Sequence, residues 1–268
     1  RQRETLMPQK EGVRLTKTAI ITGASSGIGF ETTQELIKEG WRVFGVDINT
    51  GKFENSKLFK QSSLFTPITC DLTDAYAITL TMALIQKEVS SVDALIACAG
   101  VLRLGALANM SVEDFDLVFN VNVRGLWLSV SRSMPMLKSA AKLSGSARVI
   151  LLSSVSALRP KIDSGAYSAS KAAVSQLTRV LAVECAKDNI LVNALAPGTV
   201  DTPMVRDQSS PGKQGNWRPS GPSPLGRIAV PSDIVKVIRF LLDENSSYVT
   251  GATIPVDGGT QAAFIPTS

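Results

Sequence analysis

Two kinds of apolar pattern take turns along this chain. Short runs of branched apolar residues stand at 18–21, 42–46, 67–71, 92–97, 149–152, 190–196 and, as a closing strand and turn, 253–259. Runs of this length, apolar on both sides, predict strands buried on both faces. Between them lie stretches with helical spacing: 30–40, ended by Gly40, then 75–88 with Ile78, Met82 and Ile85 on one stripe, 111–136 opened by Ser111, 166–186, and 234–242. Residues 49–63 are polar with no convincing helical stripe, so any helix there is short. Strand and helix alternating throughout predict the α/β class, a doubly wound parallel sheet of Rossmann type.

The chain has 268 residues, 44% hydrophobic and 19% charged. One domain over 17–268 suits that length, with residues 1–16 as a polar, flexible N-terminal arm lacking the apolar core of a secretory signal. No apolar run approaches a membrane span. The net charge of +5 is scattered, with no basic run of five, which argues against nucleic acid as a partner. Cys70, Cys98 and Cys185 are odd in number and widely spaced, the usage of a reducing, cytoplasmic compartment. With no histidine and no paired cysteines, no zinc site is expected.

The missing histidine sharpens the search for acid and base groups. Tyr167 follows the strand at 149–152 and the serine pair Ser153-Ser154, and Lys171 lies four residues further, one helical turn on. A tyrosine titrates near 10, so a cation on the same helix face that favours the phenolate, with a serine hydroxyl to hold a substrate oxygen, would let it exchange protons near neutrality. A tyrosine and a lysine on an ordinary helix would mean little alone. The first strand, however, runs into Gly23-Ala24-Ser25-Ser26-Gly27-Ile28-Gly29 and a helix, a turn in which backbone N–H groups approach a pyrophosphate. Asp47 ends the second strand at the distance expected of a carboxylate that binds adenosine ribose, with Ile48 beside it, and predicts NAD as the cofactor. Small residues, Cys98-Ala99-Gly100, follow the fourth strand and leave room for a ligand. Asn122 inside a predicted helix suggests side-chain hydrogen bonding or function. The stretch 209–224, rich in proline and glycine, reads as part of a substrate lid over about 203–226.

Together these motifs resemble the short-chain dehydrogenase/reductase family from about residue 17 to 259: the glycine turn, Asp71-Leu72, Asn122, Ser154, Tyr167, Lys171, and Pro197-Gly198 with Thr202. The resemblance implies an NAD-dependent oxidoreductase in which Tyr167, Ser154, Lys171 and Asn122 are catalytic. Lys171 would bind the nicotinamide ribose and lower the Tyr167 pKa, and Asn122 would order a water relaying protons to Lys171. Gly23, Ser25, Ser26, Gly27, Ile28, Gly29, Asp47, Ile48, Asp71, Leu72, Ala99, Gly100, Tyr167, Lys171, Pro197, Gly198, Val200 and Thr202 would hold the cofactor, with Leu72 beneath the adenine and Thr202 facing the carboxamide. Where the family usually has Asn-Asn-Ala-Gly, this chain has Ala97-Cys98-Ala99-Gly100. It also implies a homotetramer or homodimer formed through the long helices, with Ala169, Ala173, Leu177 and Leu181 as a compatible face.

Short segments, 100–105, 160–162 and 224–229, are similar to a narrower group, the 2,3-dihydro-2,3-dihydroxybenzoate dehydrogenases of siderophore synthesis. The expected substrate is then a secondary ring alcohol or its ketone, with Arg103 and Lys161 as partners for a carboxylate, and Met204 and Trp217 shaping the pocket. Two alternatives stand beside it: a dehydrogenase for another cyclic alcohol, and a non-catalytic NAD-binding scaffold.

Overall fold

The computed structural model describes residues 16–208 and 223–263. Except for Thr16, the N-terminal arm lies outside the described residues, as does most of the lid with Trp217. Seven strands, β1 (Thr18–Thr22), β2 (Arg42–Asp47), β3 (Phe65–Thr69), β4 (Ala94–Ala97), β5 (Ala147–Leu152), β6 (Ile190–Pro197) and β7 (Thr253–Val256), form one sheet in the order β3-β2-β1-β4-β5-β6-β7. Every neighbouring pair is parallel. Each outer strand carries a proline: Pro67 in β3, paired with Gly45, and Pro255 in β7, paired with Ala196.

Among the described residues eight α-helices connect these strands: α1 (Gly27–Lys38), α2 (Lys57–Gln61), α3 (Ala75–Glu88), α4 (Val112–Phe119), α5 (Leu126–Ser144), α6 (Gly165–Cys185), α7 (Pro203–Gln208) and α8 (Pro231–Leu242). Strand residues alternate sides, so the sheet feeds two cores. On one side Ile20, Leu95, Val149 and Val192 meet Ile78, Met82 and Ile85 of α3, Leu137 of α5 and Val174 of α6. On the other Ile21, Ile96 and Leu195 meet Leu36 of α1 with Ile234 and Ile238 of α8. Burying each such side chain contributes about 1.5 to 3 kcal/mol, which makes the central strands a rigid support. The sheet order reverses between β1 and β4, and a crevice opens there at the strands' carboxyl ends.

Several boundaries differ from the sequence reading. The helix expected over 111–136 is broken: α4 ends at Phe119, a π-helical segment, Asn120–Gly125, follows, and α5 continues to Ser144. The wider turn accommodates Asn122, whose amide bonds outside its own helix, as π segments at functional sites commonly do. The third strand is Phe65–Thr69, two residues earlier than expected, because Phe65 packs at 4.8 Å from Phe53 and 4.7 Å from Phe59. Those rings, with Phe30, form an aromatic cluster under the polar stretch after Asp47, where helical periodicity gave no sign of a core. The helix that does form there, α2, is short, and a 3₁₀ turn, Gly51–Asn55, precedes it.

Candidate active site

At the carboxyl ends of β1 and β4 two backbones come into contact. A Cβ on Gly29 would stand 2.1 Å from the Gly23 carbonyl oxygen, and one on Gly23 would stand 2.6 Å from the Ala99 nitrogen. Only glycine allows the turn to fold this tightly against β4, and the resulting cradle opens on the N-terminus of α1. Asp47, leaving β2, is oriented by the Ser25 N–H at 2.9 Å and the Asn49 N–H at 3.1 Å. Asp71 is braced in the same way by the Thr73 N–H and hydroxyl, both at 2.8 Å.

One cavity of about 570 Å³ runs from this cradle past Asp47, Ile48, Asp71 and Leu72 to Ser154, Tyr167 and Lys171. Gly23, Ser26, Gly27, Ile28, Gly29, Ala99, Gly100, Pro197, Gly198, Val200 and Thr202 line it too, as do Arg103 and Met204. Of the residues expected from sequence, Ser25, Asn122 and Lys161 do not line it. Ser25 acts through its backbone on Asp47, Asn122 is fully buried, and Lys161 is a part-buried loop residue. Val101, Leu117, Val121 and Val205 were not anticipated and form much of the apolar wall. A signal for two of them existed, since Leu117 and Val121 are four residues apart on the predicted helix.

Ser154 leaves β5 and turns its hydroxyl to accept the Ser156 N–H at 3.1 Å, while also bonding the Tyr167 phenol. Burial pushes that phenol above its ordinary value, and the Ser154 bond opposes the shift. Burial and the Ser154 bond set this shift, and the Lys171 charge is not among its causes. The Lys171 ammonium lies 5.6 Å from the ring centroid and donates to the Leu152 carbonyl at 2.7 Å. Burial lowers its own pKa to about 8, with the Cys98 thiol working in the opposite direction. Cys98 is pushed up to about 12 by burial, so its thiol stays protonated beside the cavity.

The Asn122 amide joins three segments. Its oxygen accepts the Val101 N–H at 2.8 Å, and its nitrogen donates to the Val101 carbonyl at 3.0 Å and to the Ser170 hydroxyl at 3.1 Å. Ser170 in turn donates to the Tyr167 carbonyl at 2.7 Å. The side chain therefore clips the loop after β4 to the turn of α6 that carries Tyr167 and Lys171, which explains its place inside a helix.

A dinucleotide-sized cavity at the switch point of a parallel sheet, ending at a serine, a tyrosine and a lysine, defines a nicotinamide-dependent oxidoreductase. A family model described as enoyl-(acyl carrier protein) reductase matches residues 23–261. A 3-oxoacyl-[acyl-carrier-protein] reductase from Thermotoga maritima is 36% identical over 248 residues, covering 91% of this chain and 97% of that protein. Among solved structures, a 3-ketoacyl-(acyl-carrier-protein) reductase from Brucella melitensis complexed with NADH superposes with TM-score 0.80 at 27% identity, covering 91% of this chain and 98% of the other. Aldohexose dehydrogenase from Thermoplasma acidophilum superposes with TM-score 0.83, also at 27% identity, covering 94% and 97%. The chain belongs to the short-chain dehydrogenase/reductase family.

Proposed function

We propose that this protein is an NAD-dependent dehydrogenase/reductase that interconverts a secondary ring alcohol and the corresponding ketone. The observation that carries the reading is the meeting of Ser154, Tyr167 and Lys171 on the cofactor cavity, whose lining also includes the apolar Val101, Leu117, Val121 and Met204. When bound, the nicotinamide supplies or accepts hydride. The protein's own part is to place the substrate oxygen between the Ser154 and Tyr167 hydroxyls and to exchange its proton with the phenol. Lys171 stands behind the phenol, and the Asn122 clip keeps both on their turn of α6.

The glycine cradle and Asp47 support NAD over NADP. The Asp47 carboxylate, fixed by two N–H donors, faces the cavity with the apolar Ile48 beside it, and a 2′-phosphate there would set two anions against each other. Arg103 on the wall supports a ring acid as substrate, of which 2,3-dihydro-2,3-dihydroxybenzoate is one example. The Thermotoga relative favours a second reading, reduction of a 3-oxoacyl thioester. Cys70, Cys98 and Cys185 are all free thiols, which supports a cytoplasmic setting. No helix among the described residues is long and apolar enough to cross a membrane. Val180 and Val183, exposed on α6, support assembly into a homotetramer or homodimer, as does exposed Ala169; Leu181 of the same expected face is buried within the subunit.

Initial rates with a panel of cyclic ketones and with an acetoacetyl thioester, each with NADH and NADPH, test these readings together. The expected result is higher kcat/KM on cyclic ketones, and with NADH. Preference for the thioester would replace the substrate reading, and preference for NADPH would overturn the role of Asp47.

A further inference from the structure

We propose that Asp114 is a positioning residue that sets which substrates the cavity accepts: it holds the Arg103 guanidinium in the cavity wall so that a cyclic ketone bearing a carboxylate is preferred over its neutral counterpart. The inference rests on the ring-ketone reading above. Arg103 lines the same cavity as Ser154 and Tyr167. Its Nε donates to Asp114 Oδ1 at 3.1 Å and its Nη1 to the Leu102 carbonyl at 3.1 Å, which leaves Nη2 with no partner among the described residues.

The Arg103 and Asp114 side chains are 42% and 47% exposed, so their ion pair adds little to stability. Its larger effect is geometric. An untethered arginine samples many rotamers, whereas here one bond from its own loop and one from α4 hold the guanidinium. Asp114 is itself fixed, because its N–H caps α4 by donating to Ser111 Oγ at 3.1 Å. Two residues beyond Arg103, the Gly105 N–H donates to the Asp163 carbonyl at 2.9 Å and Gly105 bridges Ser164, the residue before α6. The guanidinium and the Tyr167 phenol thus hang from the same junction, with a charge-assisted donor left over for an anionic oxygen on the substrate.

The test compares two ketones, 3-oxocyclohexane-1-carboxylate and 3-methylcyclohexanone, with NADH. In each case NADH is oxidised, its hydride adds to the carbonyl carbon, and Tyr167 gives a proton to the carbonyl oxygen. Wild-type enzyme is expected to favour the acid at least tenfold in kcat/KM. Asp114→Ala should remove about tenfold of that preference through KM for the acid, leaving kcat and the neutral ketone unchanged. Arg103→Ala should raise KM for the acid by a similar factor, and the double variant should fall no further than either single one, since the two act as a unit. Asp114→Asn, which keeps an oxygen for Nε, should stay within threefold of wild type. The inference is overturned if Asp114→Ala leaves the preference intact or lowers kcat on both ketones alike. It is equally overturned if the double variant falls further than either single one, or if Asp114→Asn leaves the threefold range. Wild-type turnover of both ketones without preference sinks this inference alone, whereas turnover of neither sinks the ring-ketone reading with it.

Discussion

The two ends of the cavity are built from different material. The cofactor end is mostly backbone: the turn after β1 packed on β4, the N-terminus of α1, and carboxylates held by neighbouring N–H groups. Away from that cradle the lining is mostly side chains, among them Arg103, Leu117, Val121, Met204 and Val205, carried by loops and short helices. A backbone site tolerates few alternatives, because a single added Cβ collides with main chain. A side-chain wall can be rebuilt by substitution without touching the sheet, which is how one scaffold serves many substrates. The relatives agree with this division, since a 3-ketoacyl-(acyl-carrier-protein) reductase and an aldohexose dehydrogenase share the fold.

The comparison can be broken hardest where the two ends meet. Tyr167→Phe keeps the ring and removes the proton, so turnover should fall by about two to four powers of ten while NADH still binds, as measured by fluorescence titration. More than a tenth of wild-type turnover would remove the phenol from the chemistry.

Lys171 sits at the same meeting point and gives a pH signature. Burial lowers its pKa from the ordinary 10.5 to about 8, so between those values the unfolded chain binds more protons than the native one. Stability contributed by this residue should therefore rise as pH goes from 8 to 10.5, and be lost again as pH falls back through 8, by on the order of 2 to 3 kcal/mol. Denaturant unfolding of wild type against Lys171→Met across that window should show the slope only in wild type; parallel curves would place the ammonium in a wetter setting.

At the cofactor end, Gly29→Ala forces a shift of main chain and should cost about 1 to 3 kcal/mol, read as a lower Tm together with weaker NADH binding. The contrasting change, in the side-chain wall, is Leu117→Ala. Steady-state assays should show KM moving less than about tenfold, with Tm nearly unchanged because Leu117 is only part-buried. Equal damage from the two substitutions would dissolve the distinction.

Legibility in sequence follows the same division. The strands, α3 and the glycine turn could be read because each is a local pattern: an apolar run, a stripe, a spacing of glycines. The break in the helix at Asn122 could not, because its cause is Val101 and Ser170, remote in sequence and near only after folding. The aromatic cluster of Phe53 and Phe59 escaped for the reverse reason, lying in elements too short to show a period. Arg103 was visible as a cation near the site, but its pairing with Asp114 depends on how the loop after β4 meets α4. Lys161, equally visible, is on the right loop and does not line the cavity.

The prolines at the two margins of the sheet bear on how this protein behaves when crowded. An outer strand is an open template to which another chain can add by main-chain hydrogen bonding, the first step toward fibrous aggregates. Proline in such a strand leaves its missing donor on the outer side, and Pro67 and Pro255 put that gap into strands of only five and four residues. Neither margin offers a long, regular row of donors. Replacing Pro67 or Pro255 by valine should leave turnover intact and show itself as light scattering and thioflavin fluorescence that grow with protein concentration.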